Sequence, residues 1–471
     1  MADEQFDAVV IGTGQSGNPL ARAMASHGWR VAAVERRYVG GTCVNDGCSP
    51  SKTIDASAKV AYLARRGADF GVKTGPISVD MHKVWERKQK VVLGSRDGNA
   101  TSLAKVSTLL MGEASFAQDQ PGNGQFALDV TMNEGGGTRR LVTPRVFLNT
   151  GERPHPPKLE GLDSVQYLDS TSIMELQEVP EHLVILGAGY IALEFAQMFV
   201  RFGAKVTVLE RGEKIAQHED DDVAACLRGI LEADGIRILT CASVDRVTGG
   251  PGAITLTVTT DDGEQDVTGS HLLVATGRTP NVEALHLERV GVHQGDKSGH
   301  IQVNERLETN VPGIWAMGDV KGGPAFTHIS YDDFRVIRTN VLEGGDASIA
   351  GRMTNYTMFT DPELGRIGLS EKDAAEQGRK VRVASIPATK IARLDEMDQS
   401  SGLLKAIVDA ESGKILGGVA LVESGGEMAA QLQLAIMGDL PYTALRDAVF
   451  AHPTRAEAWN NLFTSFQDGQ P

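Results

Sequence analysis

A chain of 471 residues is too long for one ordinary domain and suggests about three. Its 41% hydrophobic content and 53 glycines fit a globular, loop-rich α/β protein, and a formal net charge of −15 argues against nucleic acid or an anionic membrane as partner. The N-terminus carries no basic-then-apolar signal and no apolar run reaches membrane-spanning length, so a cytoplasmic location is expected. Four cysteines are too few for a secreted disulfide framework; in a reducing cytosol a close pair is more often catalytic or metal-binding than structural.

Residues 6–11 read as a short apolar strand, followed by Gly12, Gly14 and Gly17 in Gly-x-Gly-x-x-Gly order and a helical stretch to about residue 26. A second strand over 30–34 ends in Glu35. Cys43 and Cys48 come next, with four residues between them. A regular helix would set them about 140° apart, whereas a disulfide wants its Cα atoms within about 7 Å. Bridging them therefore needs a distorted turn. Gly47 supplies backbone freedom there, and Pro50 suits the first turn of a helix running on from the bend. Ser51 stands where a P-loop would need glycine before Lys52, which excludes a phosphate cradle of that type.

Arg65, Arg66 and the run 83–90 read as solvated helix faces, and 118–140 as hairpin turns between short strands. A strand over 146–148 leads to Thr150-Gly151, and Pro154, Pro156 and Pro157 mark a crossover. The pattern then repeats: a strand over 183–186, Gly187, Gly189 and Ala192, a helix, and a strand over 205–209 ending in Glu210. In both copies the acid lies 23 residues after the first glycine. Two such copies, each with strand, helix and terminal acid, point to two bound dinucleotides. The second copy closes at Thr276-Gly277, and 278–281 cross back; beyond about residue 352 strands (405–409, 415–422) and helices follow without a glycine fingerprint.

The stretch from Cys43 to Lys52, with the fingerprints before and after it and His452-Pro-Thr-Arg-Ala-Glu457 near the end, resembles the group I flavin-dependent pyridine-nucleotide disulfide oxidoreductases. These include dihydrolipoamide dehydrogenase, glutathione reductase and mercuric reductase. Asn45-Asp-Gly-Cys-Ser-Pro-Ser-Lys-Thr53 and residues 359–371 are most similar to the mercuric-reductase-like branch. The resemblance implies an α/β fold with two Rossmann-type dinucleotide-binding domains, the second inserted in the first, and a C-terminal α+β dimerisation domain. The implied segments are 1–151 (FAD, with the dithiol), 152–281 (NAD(P)H), 282–351 (return to the FAD-binding domain) and 352–471 (dimer interface).

Gly12, Gly14 and Gly17 would let the backbone approach the FAD pyrophosphate at a helix N-terminus, and Glu35 would accept from the adenosine ribose. By resemblance Asp319 binds the ribityl chain with Gly318 giving close approach, and Thr42, Lys52, Thr150 and Gly151 belong to the same site. Gly187, Gly189, Ala192, Glu210 and Gly277 would hold NADH or NADPH. Glu210 favours NADH, because a carboxylate bonds a ribose 2′-hydroxyl and repels a 2′-phosphate, whereas Arg211 and the alanine at 192 point to NADPH; the balance tilts to NADH. No metal site is expected.

The resemblance further implies that electrons pass from NAD(P)H through FAD to the Cys43–Cys48 disulfide and on to a small-molecule substrate. Cys48 would face the flavin and Cys43 would exchange with substrate, while Lys52 and Glu194 resemble the ion pair beside the flavin. His452 would serve as acid-base group, oriented by Glu457. In the family this histidine reaches the other subunit's dithiol, so a homodimer with a shared site is implied. Cys226 and Cys241 read as packing; His328 reads either as a flavin neighbour or as a helix-start residue. Mercuric reductases end in a vicinal cysteine pair, whereas residues 466–471 contain none, and His452 stands where they tend to carry tyrosine. Phe450 replaces a histidine usual in dihydrolipoamide dehydrogenase. The expected substrate is a small disulfide or related thiol-reactive molecule, with mercuric ion and lipoamide as alternatives; a redox sensor cycling without turnover is the competing class.

Overall fold

Strands apolar on both faces belong in the middle of a parallel sheet covered on either side. Ala8–Ile11, Val31–Glu35 and Val146–Leu148 are such strands, buried along almost their whole length. In the computed structural model, which describes residues 3–467, they form the centre of an eight-stranded sheet. Its strand order is Asp3–Gln5, Thr138–Thr143, Phe126–Met132, Thr108–Phe116, Val31–Glu35, Ala8–Ile11, Val146–Leu148 and Ile314–Ala316. The last five run parallel where they pair; the far half of Thr108–Phe116 turns instead to an antiparallel meander that includes the hairpin expected within 118–140.

This sheet belongs to the first of two compact units, built from the chain up to Ile54, Lys83–His155 and Gly277–Arg352. The chain leaves it along Glu152–Pro154 and re-enters along Arg278–Pro280, two short antiparallel strands paired with each other. The second unit holds Asp55–His82, Pro156–Thr276 and the chain from Met353 onward. It contains a four-stranded parallel sheet, ordered Arg237–Leu239, Lys205–Leu209, His182–Leu186 and His271–Val274, and a three-stranded antiparallel sheet over 243–269. A five-stranded antiparallel sheet follows, ordered Asn355–Met358, Glu363–Gly368, Ile415–Val422, Leu403–Asp409 and Val381–Pro387. Gly425–Met437 and Ala458–Thr464 pack on this last sheet, where Trp459, Leu462 and Phe463 are fully buried.

The expected solvated face over 83–90 is corrected at one position. Within the helix Met81–Ala104, Lys88 is buried, its ammonium 5.7 Å from the Trp85 ring centroid. A long aliphatic stem lets lysine cover apolar surface at a position where charge alone suggests exposure. Cys226 lies in the helix Asp221–Ala233, and Cys241 sits just past Arg237–Leu239 in a left-handed conformation. The C-terminal residues 468–471 of the expected cysteine-free tail lie outside the described residues.

In the first unit a fully buried carboxylate fixes the segment after Ile314–Ala316. Asp333 accepts from Gly318 N at 2.8 Å and from Arg352 Nη1 at 2.8 Å, and Lys321 Nζ lies 3.4 Å away. Removing one member of a buried charge set leaves its partners uncompensated. Asp333→Ala is expected to destabilise the first unit by about 3–5 kcal/mol, read as a lowered melting temperature. Asp333→Asn, which can still accept from Gly318, should lie between it and wild type.

Candidate active site

The dithiol sits where one helix breaks and another begins. Gly41–Asn45 carries Cys43, the chain bends at Asp46 and Gly47, and Cys48 opens Cys48–Arg65 with Pro50 in its first turn. A Cβ at Gly47 would lie 3.0 Å from the Thr42 carbonyl oxygen, so a side chain there would crowd the bend. Asn45 braces it, donating to Gly41 O at 2.9 Å and Val39 O at 3.2 Å while its Oδ1 accepts from Arg96 Nε at 2.8 Å. Arg96 in turn lies over the Tyr38 ring, 3.6 Å from its centroid.

Both cysteines are thiols here. The Thr327 hydroxyl, first residue of the helix Thr327–Leu342, lies 3.2 Å from Cys48 Sγ. A hydrogen bond with Cys43 is the main cause that brings the Cys48 pKa down to about 6; Thr327 and the charge of Lys52 work the same way, against desolvation. The same hydrogen bond, with burial, pushes Cys43 well above the ordinary thiol range. The reduced pair therefore holds one proton on Cys43 and a thiolate on Cys48.

The first fingerprint is shaped around Asn149. Gly12 has φ +92°, and a Cβ there would fall 2.2 Å from the Asn149 carbonyl oxygen; at Gly17 one would fall 2.1 Å from Gly12 O. Asn149 Oδ1 accepts from Gly17 N at 2.9 Å, and its Nδ2 donates to Met317 O at 2.9 Å. Glu35 accepts from Thr13 N and Oγ1 at 3.1 and 2.7 Å and from Arg37 N at 2.9 Å. Two polar groups beside this loop carry no internal role. Thr150 Oγ1 is buried without a hydrogen bond, and burial raises the pKa of the Asp319 carboxylate. An unmatched buried hydroxyl fits a polar ligand, and a helix N-terminus fits a pyrophosphate. The residues thus fit FAD.

The second fingerprint repeats this geometry in the second unit. Gly187 has φ +104°, with a Cβ position 2.6 Å from Ala275 O, and a Cβ at Gly189 would meet open space. Ala192 is buried in Tyr190–Phe202. Glu210 accepts from Ala188 N at 2.9 Å and Gly212 N at 2.7 Å, matching Glu35 with Thr13 and Arg37, and also from Gln217 Nε2 at 2.9 Å. Arg211 is exposed.

His452 Nδ1 lies 3.0 Å from both carboxylate oxygens of Glu457. Donation from Nδ1 leaves Nε2 as the lone-pair nitrogen of the neutral ring, and the imidazole side chain is 71% exposed.

The sequence profile described as "Pyridine nucleotide-disulphide oxidoreductase" matches residues 6–333, and that of the same family's dimerisation domain matches 354–463. The chain belongs to this family. It is an NAD(P)H-dependent, FAD-containing disulfide oxidoreductase. The probable pyridine nucleotide-disulfide oxidoreductase RclA of Escherichia coli is 35% identical, covering 98% of this chain and 99% of that one. A mercuric reductase of Streptomyces lividans is 34% identical, covering 96% and 94%. The solved Cu(II) complex of the HOCl-induced flavoprotein disulfide reductase RclA superposes with a TM-score of 0.87 at 34% identity, covering 98% and 99%.

In this oxidoreductase the first unit gathers Gly12, Gly14, Gly17, Glu35, Thr42, Cys43, Cys48, Lys52, Thr150, Gly151, Gly318 and Asp319; the second holds Gly187, Gly189, Ala192, Glu194, Glu210, His452 and Glu457. Gly277 begins the last segment of the first unit, directly after Thr276, whose Cα lies 3.5 Å from a Cβ position at Gly187. Glu194 is buried and accepts from Phe359 N at 2.7 Å. His328 is the second residue of its helix, its ring stacked 5.5 Å from Phe326. Sequence reading missed Asn149, Thr327 and Asp333. One signal for Asn149 was available: it precedes Thr150-Gly151, where the second copy has Ala275 before Thr276-Gly277.

In the reduced protein, alkylation of Cys48 followed against pH should show half-maximal rate near pH 6, because the thiolate is the reacting form. Thr327→Val, losing a donor to that thiolate, should move the inflection up toward the ordinary thiol value. An unmoved inflection contradicts the role given to Thr327.

Proposed function

We propose that this oxidoreductase reduces a small disulfide or a related thiol-reactive molecule, with NADH as the preferred donor. The observation that carries the reading is a dithiol, Cys43 and Cys48, held at a helix start beside the Thr327 hydroxyl, in a chain that also carries a histidine oriented by a carboxylate. The glycine loop, Glu35, Thr150 and Asp319 would hold FAD, which would supply two-electron transfer between the nicotinamide and the dithiol. His452 takes the Cys43 proton, and the Cys43 thiolate attacks the substrate disulfide. The substrate S–S bond breaks, a mixed disulfide forms, and the leaving thiolate takes the proton back from His452. Cys48 thiolate then attacks Cys43 sulfur, closing the internal disulfide and expelling the second substrate thiolate. Lys52 favours the Cys48 thiolate by its charge.

The nucleotide-binding and interface modules are assigned to 1–151, 152–281, 282–351 and 352–471. The dimerisation domain supports a homodimer in which His452 and Glu457 serve the other subunit's dithiol. Among the described residues no helix is long and apolar enough to cross a membrane. The NADH preference is supported by Glu210, which Ala188 N and Gly212 N hold at the end of the second fingerprint and whose charge would oppose a ribose 2′-phosphate.

A second reading is reduction of a thiophilic metal ion. A dithiol binds soft metals, mercuric reductases are among the relatives, and RclA has been solved as a Cu(II) complex. Initial rates with lipoamide, glutathione disulfide, other small disulfides, mercuric ion and cupric ion separate the two. His452→Ala should lower the disulfide rates by roughly a hundredfold or more, the usual size of general acid-base catalysis. If a metal ion is turned over fastest and His452→Ala hardly changes it, the disulfide reading falls. Denaturation should release FAD; release of FMN, or of no flavin, contradicts the first-fingerprint assignment. A single turnover with every acceptor would identify a sensor instead.

A further inference from the structure

The segment that follows Glu210 runs into a buried ionic cluster to which neither the glycine fingerprints nor the dithiol chemistry gives a role. Ala216 N donates to Ala188 O at 3.0 Å, tying its middle to the glycine loop, and Glu219 N returns to Ala216 O at 2.8 Å. Glu219 and Asp220, at its end, are both buried carboxylates. They meet the five-stranded sheet. Arg366 Nε donates to Glu219 Oε2 at 2.8 Å and its Nη2 to Asp220 Oδ2 at 3.0 Å, while the Tyr356 hydroxyl donates to Glu219 Oε1. Glu371 N also donates to Asp220, at 3.0 Å. Asp220, Asp222 and Glu371 together have the spacing of a cation site, but Lys405 Nζ reaches all three, so an ammonium already fills it.

Two adjacent buried carboxylates are costly unless paired, and a planar guanidinium that bonds both at once admits one register only. The segment 211–220 is therefore fixed at both ends: by Glu210 on the glycine loop and by Arg366 on the sheet. We propose that Arg366 and Tyr356 are positioning residues for the nicotinamide-nucleotide site, holding this segment so that Glu210 presents its carboxylate to the ribose. The inference rests on the reading of Glu210 as a ribose ligand.

Steady-state kinetics on the full-length, FAD-loaded protein test it with three variants. Glu210→Ala tests the underlying reading: a raised NADH KM upholds it, and an unchanged one removes it together with the inference. Tyr356→Phe deletes one hydroxyl from the cluster and keeps its packing. It should raise the NADH KM about threefold to tenfold, the size of one hydrogen-bond contribution, with kcat, acceptor KM and FAD content unchanged. Arg366→Lys keeps the charge without the fork and should show the same split more strongly. If Glu210→Ala raises the NADH KM while Tyr356→Phe and Arg366→Lys leave it alone, the inference is wrong. It is equally wrong if those variants lower kcat, acceptor affinity and flavin content together, since that pattern marks a merely structural cluster.

Discussion

The side-chain amide of Asn149 joins three stretches of chain that the first unit must bring together. One end accepts from the first turn of Gly17–Ser26 and the other donates to Met317, while its own carbonyl lies against Gly12 so closely that no other residue fits there. Strand, glycine loop and returning segment are thus locked within one side chain's reach. Thr150, Gly318 and Asp319 are placed directly by these attachments, as is the loop whose residues fit a flavin nucleotide. A buried amide whose hydrogen bonds are this specific is hard to replace, because an apolar side chain would strand both Gly17 N and Met317 O.

The second unit solves the same problem differently. Ala275 stands where Asn149 does, and its carbonyl alone faces Gly187. The ring of hydrogen bonds around the terminal acid is nonetheless the same in both copies, with the residue after the first glycine and the residue two beyond the acid as donors. The acid is thus part of its loop's own architecture before any ribose arrives. A site organised in advance loses less freedom on binding.

Most of the fold was legible because its signals are local. The strand-glycine-helix-strand-acid order repeats at fixed spacing, and the break between Cys43 and Cys48 follows from helix geometry and Gly47. What stayed hidden lies far apart in sequence. Thr327 reaches Cys48 across 279 positions, Asn149 reaches Met317 across 168, and Arg366 reaches Glu219 across 147. None of these residues sits in a periodic pattern, and each owes its role to a partner that only the folded chain supplies. Lys88 was misread for the same reason: charge suggests exposure, but packing decides it.

The unequal sharing of the proton between Cys43 and Cys48 also governs the energetics of electron uptake. With Cys48 ionised above about pH 6 and Cys43 holding its hydrogen, opening the internal disulfide consumes two electrons but only one proton across the neutral range. The midpoint potential of the pair should then fall by about 30 mV per pH unit, and about twice as steeply in more acidic solution, where both sulfurs are protonated. Acidification thus moves the driving force of this dithiol only half as much as it would an ordinary one, so the pair stays reducing when the surroundings turn mildly acidic.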